Sequence, residues 1–122
     1  LELPSDLDIT GKIDLNVNEI QQYRKAIKKK IEEEKRYPKL AEENGHEGKV
    51  YVKFRLFADG SVKEVRISES SGYQILDREA VRAVVNAAPY PPMPKSIKRE
   101  YIVIEVPIVF RLSEASVRNI SR

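Results

Sequence analysis

The one imidazole of the chain, His46, sits between Glu43 and Glu47 in a Gly45–Gly48 loop. With a single His and no Cys, the sequence has no ligand set from which to build a zinc-thiolate or His-rich metal site. Acid–base or nucleophilic catalysis needs a nucleophile beside a base, or paired carboxylates on converging elements, and neither pattern is present in the sequence. Asp59 belongs to a turn, and Ser70-Ser71-Gly72 is too short to be a phosphate-cradling loop between strand and helix. His46 is expected to be a solvated loop residue. The sequence therefore predicts no enzyme, no metal and no cofactor.

The remaining chemistry is that of the main chain. From Tyr101 to Leu112 runs a long apolar strand in which Ile102, Ile104, Val106, Ile108 and Phe110 share one face, with Pro107 inside it. Proline has no N–H to give to a ladder, so a strand holds it at a sheet edge with that position turned outward. Alternate residues of a strand direct their backbone groups to the same side. Pro107 on the open edge therefore puts Tyr101, Val103, Glu105 and Val109 there too. An unpaired edge of this length normally aggregates or has a partner.

The elements that must position this edge are readable in turn. Residues 1–14 carry apolar side chains at no fixed period and read as a loosely held lead-in. Asn16 with Glu19 has capping-box spacing and Leu15 could staple onto Ile20, which predicts a helix start there. Ile20, Tyr23, Ile27 and Ile31 then recur at helical spacing, and Pro38 is expected to end the helix. Lys28-Lys29-Lys30 and Glu32-Glu33-Glu34 form a solvated face rather than a basic docking patch.

Two alternating runs, Lys49–Phe57 and Val62–Ser68, flank Ala58-Asp59-Gly60-Ser61. Asp59-Gly60 as a two-residue type I′ turn predicts Phe54 opposite Val65, Val52 opposite Ile67, Arg55 opposite Glu64 and Phe57 opposite Val62. Strain at Gly60 alone predicts a loss on the order of 1–3 kcal/mol for Gly60→Val. Leu76, Ala80, Ala83, Val84 and Ala87 mark a second helix to about Ala88, after which Pro89, Pro91, Pro92 and Pro94 read as an extended connector. Residues 113–122 form a polar tail.

The order helix-strand-strand-helix-strand predicts an α+β domain over residues 15–112. Its two layers are a three-stranded antiparallel-type sheet, with the first strand central and a split βαβ crossover, and two helices packed on it. At 41% apolar and 34% charged residues, the 122-residue chain suits one globular core with a solvated surface. A net charge of +3 with interleaved signs argues against nucleic acid as a partner. Met93 is the only methionine and no apolar stretch spans a bilayer, so a longer protein with any anchor upstream is expected.

The sequence resembles the TonB family's C-terminal domain from about Tyr23 to Leu112. The resemblance is carried, in order, by Tyr37-Pro38, Gly48-Lys49-Val50-Tyr51-Val52-Lys53-Phe54, Asp59-Gly60-Ser61-Val62, Ser70-Ser71-Gly72, Leu76-Asp77 with Ala80, Ala88-Pro89-Tyr90-Pro91-Pro92 and Val106-Pro107-Ile108-Val109-Phe110. It implies a periplasmic domain of an inner-membrane protein, anchored by one upstream span and driven by an ExbB/ExbD-type motor. It further implies outer-membrane TonB-dependent transporters as partners, serving uptake of siderophores, vitamins or similar nutrients. The transporter's TonB box would add as a strand along Tyr101, Ile102, Val103, Ile104, Glu105, Val106 and Pro107. Tyr37, Pro38, Lys39 and Leu40 would lie near the transporter's plug, with Leu40 standing where enteric members have Arg. The edge strand would also admit a homodimer, and a TolA-like adaptor and a peptidoglycan-binding module are the alternative functions at this point.

Overall fold

The computed structural model describes residues 11–112, and the expected lead-in before Gly11 and the tail after Leu112 lie outside them. Helix α1 spans Gly11–Glu34, a short helix α2 Lys39–Glu43, strand β1 Gly48–Phe57, strand β2 Val62–Glu69, helix α3 Gln74–Ala87 and strand β3 Tyr101–Phe110. The sheet order is β2-β1-β3 with both pairings antiparallel. Strands β2 and β3 thus run parallel on either side of β1, as the crossover through α3 requires.

The core lies on one face of this sheet. Val50, Val52, Phe54 and Leu56 of β1 and Ile104, Val106, Ile108 and Phe110 of β3 are all buried there. Tyr23, Ile27 and Ile31 of α1 and Leu76, Ala80, Ala83, Val84 and Ala87 of α3 close over them. The period-2 and period-3.6 patterns meet in a single layer between sheet and helices. The two helices are also joined by polar contacts: Arg82 donates to both oxygens of Glu79 at 2.8 and 2.7 Å and to the Glu34 carbonyl at 2.7 Å, and the Arg36 N–H donates to Glu79 at 2.7 Å. Burial pushes the Glu79 carboxyl up, but these donors outweigh it and hold it below its ordinary value.

Several local expectations are corrected. Helix α1 begins at Gly11 rather than at Leu15, so Asn16 lies inside the helix and is not its cap. The helix ends at Glu34, and Pro38 instead opens α2 from an extended conformation at ψ 131°. The hairpin turn is a three-residue loop, Ala58-Asp59-Gly60: the Phe57 N–H donates to the Ser61 carbonyl at 2.8 Å and the Gly60 N–H to the Phe57 carbonyl at 2.9 Å. Gly60 takes φ +93° there.

This shifts the pairing beside the turn by one residue, to Leu56 with Val62 and Arg55 with Lys63. A bulge then places Glu64 and Val65 against Phe54 alone, with Glu64 at φ 55°, and restores the expected pair Val52–Ile67. Arg55 still reaches Glu64, at 3.3 Å, across the bulge. Strand β3 ends at Phe110, two residues earlier than expected.

The connector Pro89–Pro94 is bound rather than merely extended. Tyr90 is buried, stacks on Phe54 with centroids 6.1 Å apart, donates its hydroxyl to the Val84 carbonyl at 2.7 Å, and gives its N–H to the Gly60 carbonyl at 2.8 Å. The Met93 N–H bonds the Ala58 carbonyl at 2.9 Å, and the Tyr23 hydroxyl bonds the Pro91 carbonyl at 2.7 Å. The connector thereby ties the hairpin turn to both helices.

Candidate functional site: the open edge of the last strand

Which backbone groups of β3 are free follows from the parity of β1. The Phe57 N–H points to β2, where it meets Ser61, while the Ala58 N–H meets the Glu100 carbonyl at 3.0 Å in continuation of the β1–β3 ladder. Even-numbered residues of β1 therefore bond toward β3. Their partners Ile102, Ile104, Val106, Ile108 and Phe110 turn inward to β1. The outward set is Tyr101, Val103, Glu105, Pro107 and Val109, as the position of Pro107 predicted. The Val109 carbonyl indeed leaves the sheet, accepting from Lys35 Nζ at 2.5 Å.

Beside the first half of this edge lies an open groove of about 520 Å³ lined by Ile20 and Arg24 of α1, by Arg99, and by Tyr101, Ile102, Val103 and Ile104. Val103 is 51% exposed and Tyr101 38%, although both are large and apolar. The Tyr101 ring carries the Arg55 guanidinium at 4.9 Å and leans on Phe57 at 5.4 Å. Glu105 accepts a hydrogen bond from Ser68 through its side chain. Of the seven expected peptide-binding residues, Tyr101, Val103, Glu105 and Pro107 present backbone to the edge. Ile102, Ile104 and Val106 pair with β1, and Ile102 and Ile104 also form the groove wall.

The second expected contact, Tyr37 to Leu40, lies at the other end of the strand. Tyr37 packs edge-on against Phe110 with centroids 5.5 Å apart and donates its hydroxyl to the His46 carbonyl. Burial pushes the Tyr37 hydroxyl pKa up, with Glu47 and Glu42 adding to the effect. Pro38 opens α2, and Lys39 with the 61%-exposed Leu40 forms the outer surface. Phe110 lies nine residues from Tyr101, about 30 Å along an extended strand. The structure thus keeps the two candidate contacts apart, at opposite ends of β3.

Other polar residues are explained by structure. His46 is not solvated as expected: it is half-buried and stacks on Tyr73 with centroids 4.1 Å apart. Asp77, 8% exposed, accepts from the Ser71 N–H at 2.9 Å, the Ser71 hydroxyl at 2.7 Å and the Ser70 hydroxyl, so it organises the turn between β2 and α3. Burial pushes its carboxyl up, and these donors more than reverse the effect, holding it below the ordinary value. Among the described residues no group of three His, Asp or Glu could hold a metal ion, and no helix is long and apolar enough to cross a membrane.

A two-layer α+β domain whose last strand lies open beside a groove has the geometry that strand-adding binding modules use. Comparison with known proteins gives the family. Residues 33–112 match the family model described as Gram-negative bacterial TonB protein C-terminal, and the chain belongs to that family. It is 38% identical over 98 residues to Protein TonB of Pasteurella multocida, covering 80% of this chain and 37% of that protein. It is 36% identical over 88 residues to Protein TonB of Helicobacter pylori, covering 72% and 30%. The chain thus spans about a third of the length of these relatives. Among solved structures it resembles the Helicobacter pylori TonB C-terminal domain with a TM-score of 0.66 at 34% identity, over 76% of this chain and 83% of that one.

Proposed function

We propose that this domain is the periplasmic end of a TonB-type energy transducer and docks the TonB box of outer-membrane transporters as an added strand beside β3. The observation that carries the reading is the outward row of Tyr101, Val103 and Glu105 backbone groups along a groove next to α1. An incoming segment gains main-chain bonds from these three residues, and alternate side chains of the segment enter the groove. Lys39 and Leu40 form the contact to the transporter's plug, with Tyr37 and Pro38 holding them against the far end of the strand. An upstream inner-membrane anchor and an ExbB/ExbD-type motor supply the pull that drives uptake of siderophores, vitamins or similar nutrients. The family match favours this over a TolA-like adaptor or a peptidoglycan module. Catalysis has no part in the scheme.

The test is Val103→Pro. It removes one outward N–H from an exposed position and leaves the inner ladder intact. Titration of a TonB-box peptide should show binding to the parent and none to the variant, with the fold retained by circular dichroism. Equal affinity for both would overturn strand addition at this edge.

A further inference from the structure

The outward edge of β3 does not stay open along its length. At Pro107 the edge offers a carbonyl without an N–H. At Val109 the carbonyl is already taken by Lys35 Nζ at 2.5 Å. Lys35 is itself held in place from two other directions: it pairs with Glu32 at 3.0 Å and lies 5.4 Å from the Phe110 ring centroid, and only 20% of its side chain is exposed. Two consecutive outward positions have therefore each lost one half of their hydrogen-bonding capacity, one by covalent structure and one by a side chain 74 residues away in sequence.

Helix α1 closes the same half of the strand sterically. The space between helix and strand is about 520 Å³ at Tyr101–Ile104, where Ile20 and Arg24 form the far wall. It shrinks to about 30 Å³ at Val106–Ile108, where Lys28, Ile31 and Glu32 approach the strand. On the α1 side the groove is wide beside Tyr101–Ile104 and narrow beside Val106–Ile108.

We infer that Lys35 is a specificity-determining residue of this edge: with Pro107 it forms a stop that limits an added strand to Tyr101–Glu105 and keeps two copies of the chain from pairing along the whole of β3. The inference rests on the strand-addition reading for its ligand, whereas its consequence for self-association stands without it. Five residues at about 3.3 Å each set an accepted segment of roughly 17 Å. A second copy aligned antiparallel along the edge would need the carbonyl that Lys35 occupies and the N–H that Pro107 lacks.

The experiment compares the 122-residue chain with Lys35→Met, which keeps the stem against Phe110 and removes the donor, and with Lys35→Arg, which keeps a donor. Backbone amide exchange is followed by NMR with a TonB-box peptide extended by four residues at each end, and self-association is measured by sedimentation without peptide. The parent and Lys35→Arg should show peptide protection at Tyr101, Val103 and Glu105 and none at Val109. Lys35→Met should extend protection to Val109 and dimerise at least tenfold more tightly. Protection of Val109 in the parent equal to that of Glu105 would overturn the inference, as would a Lys35→Met variant whose footprint and dimerisation match the parent's. Absence of protection at Tyr101, Val103 and Glu105 in all three proteins would instead sink the strand-addition reading, and the sedimentation result alone would then decide the role of Lys35.

Discussion

Replacing Gly60 by Ala separates two effects that the sequence presents as one. Gly60 and Gly72 both have positive φ, +93° and +95°, so a Cβ at either suffers the strain of an L-residue in that region, about 1–2 kcal/mol. At Gly72 nothing lies within 4 Å of that Cβ. At Gly60 it would fall 3.0 Å from the Tyr90 carbonyl carbon and 3.1 Å from its nitrogen, with the carbonyl oxygen closer still. Because these are backbone atoms, the connector has to move.

Moving it breaks the Tyr90 N–H bond to the Gly60 carbonyl and disturbs the bond from the Tyr90 hydroxyl to Val84. Each such bond is worth about 1 kcal/mol net. Gly60→Ala is thus expected to cost about 3–4 kcal/mol and Gly72→Ala about 1–2 kcal/mol. In urea, with a slope of about 1.5 kcal/mol/M, the midpoints should fall by about 2–3 M and about 1 M. If Gly60→Ala falls within about 0.5 kcal/mol of Gly72→Ala, close to the additivity error of such measurements, the docking of Tyr90 on the turn is refuted.

Three further outcomes are expected. Asp77 has its carboxyl held below the ordinary value, so the stabilisation it gives is complete above the ordinary carboxylate pKa of 3.8 and is lost as pH falls through the lower folded value. Asp77→Asn should cost about 1–3 kcal/mol at pH 7, and the gap between parent and variant should narrow in urea melts as pH falls below 3.8. Arg82→Lys should recover less than half of what Arg82→Ala loses, about 1–2 kcal/mol by chemical denaturation, because an ammonium cannot span both Glu79 oxygens and the Glu34 carbonyl. Stoichiometric zinc or calcium should leave the melting temperature unchanged, and a saturable rise would reveal a site the ligand spacing does not show.

What the sequence displayed most clearly was whatever repeats at short range. The stripe from Tyr23 to Ile31, the alternation of β1 and β3 and the apolar face of α3 are periodic, and each is buried on the side its period required. Pro107 showed which side of β3 faces out because proline carries its hydrogen-bonding deficit in its identity. The loop at Asp59-Gly60 was misread by one residue because the same dipeptide serves a two-residue turn and the end of a three-residue loop. The choice between them coincides here with a contact from Tyr90, thirty residues on in the chain, that no local pattern displays. Lys35 was hidden for the same reason. It follows the charged run that closes α1 with no pattern to mark it, and only the meeting of the end of α1 with the end of β3 gives it a carbonyl to bind.

The two edges of this sheet are treated differently, and the difference bears on function more strongly than the openness of either one. Strand β2 is an edge along its whole length, and its row of backbone groups is interrupted by bulges at Glu64 and near Ser68 and flanked by the exposed charges of Lys63, Glu64, Arg66 and Glu69. Bulges and charges are the ordinary means of keeping an edge from pairing. Strand β3 has its own means, Pro107 and Lys35, but they act on its second half only. The first half keeps its donors, its exposed Val103 and Tyr101, and an adjoining groove. Edge protection alone would extend the stop along the strand as β2 does; protection of half a strand leaves a free length of defined register, which is what recognition of a short extended segment requires.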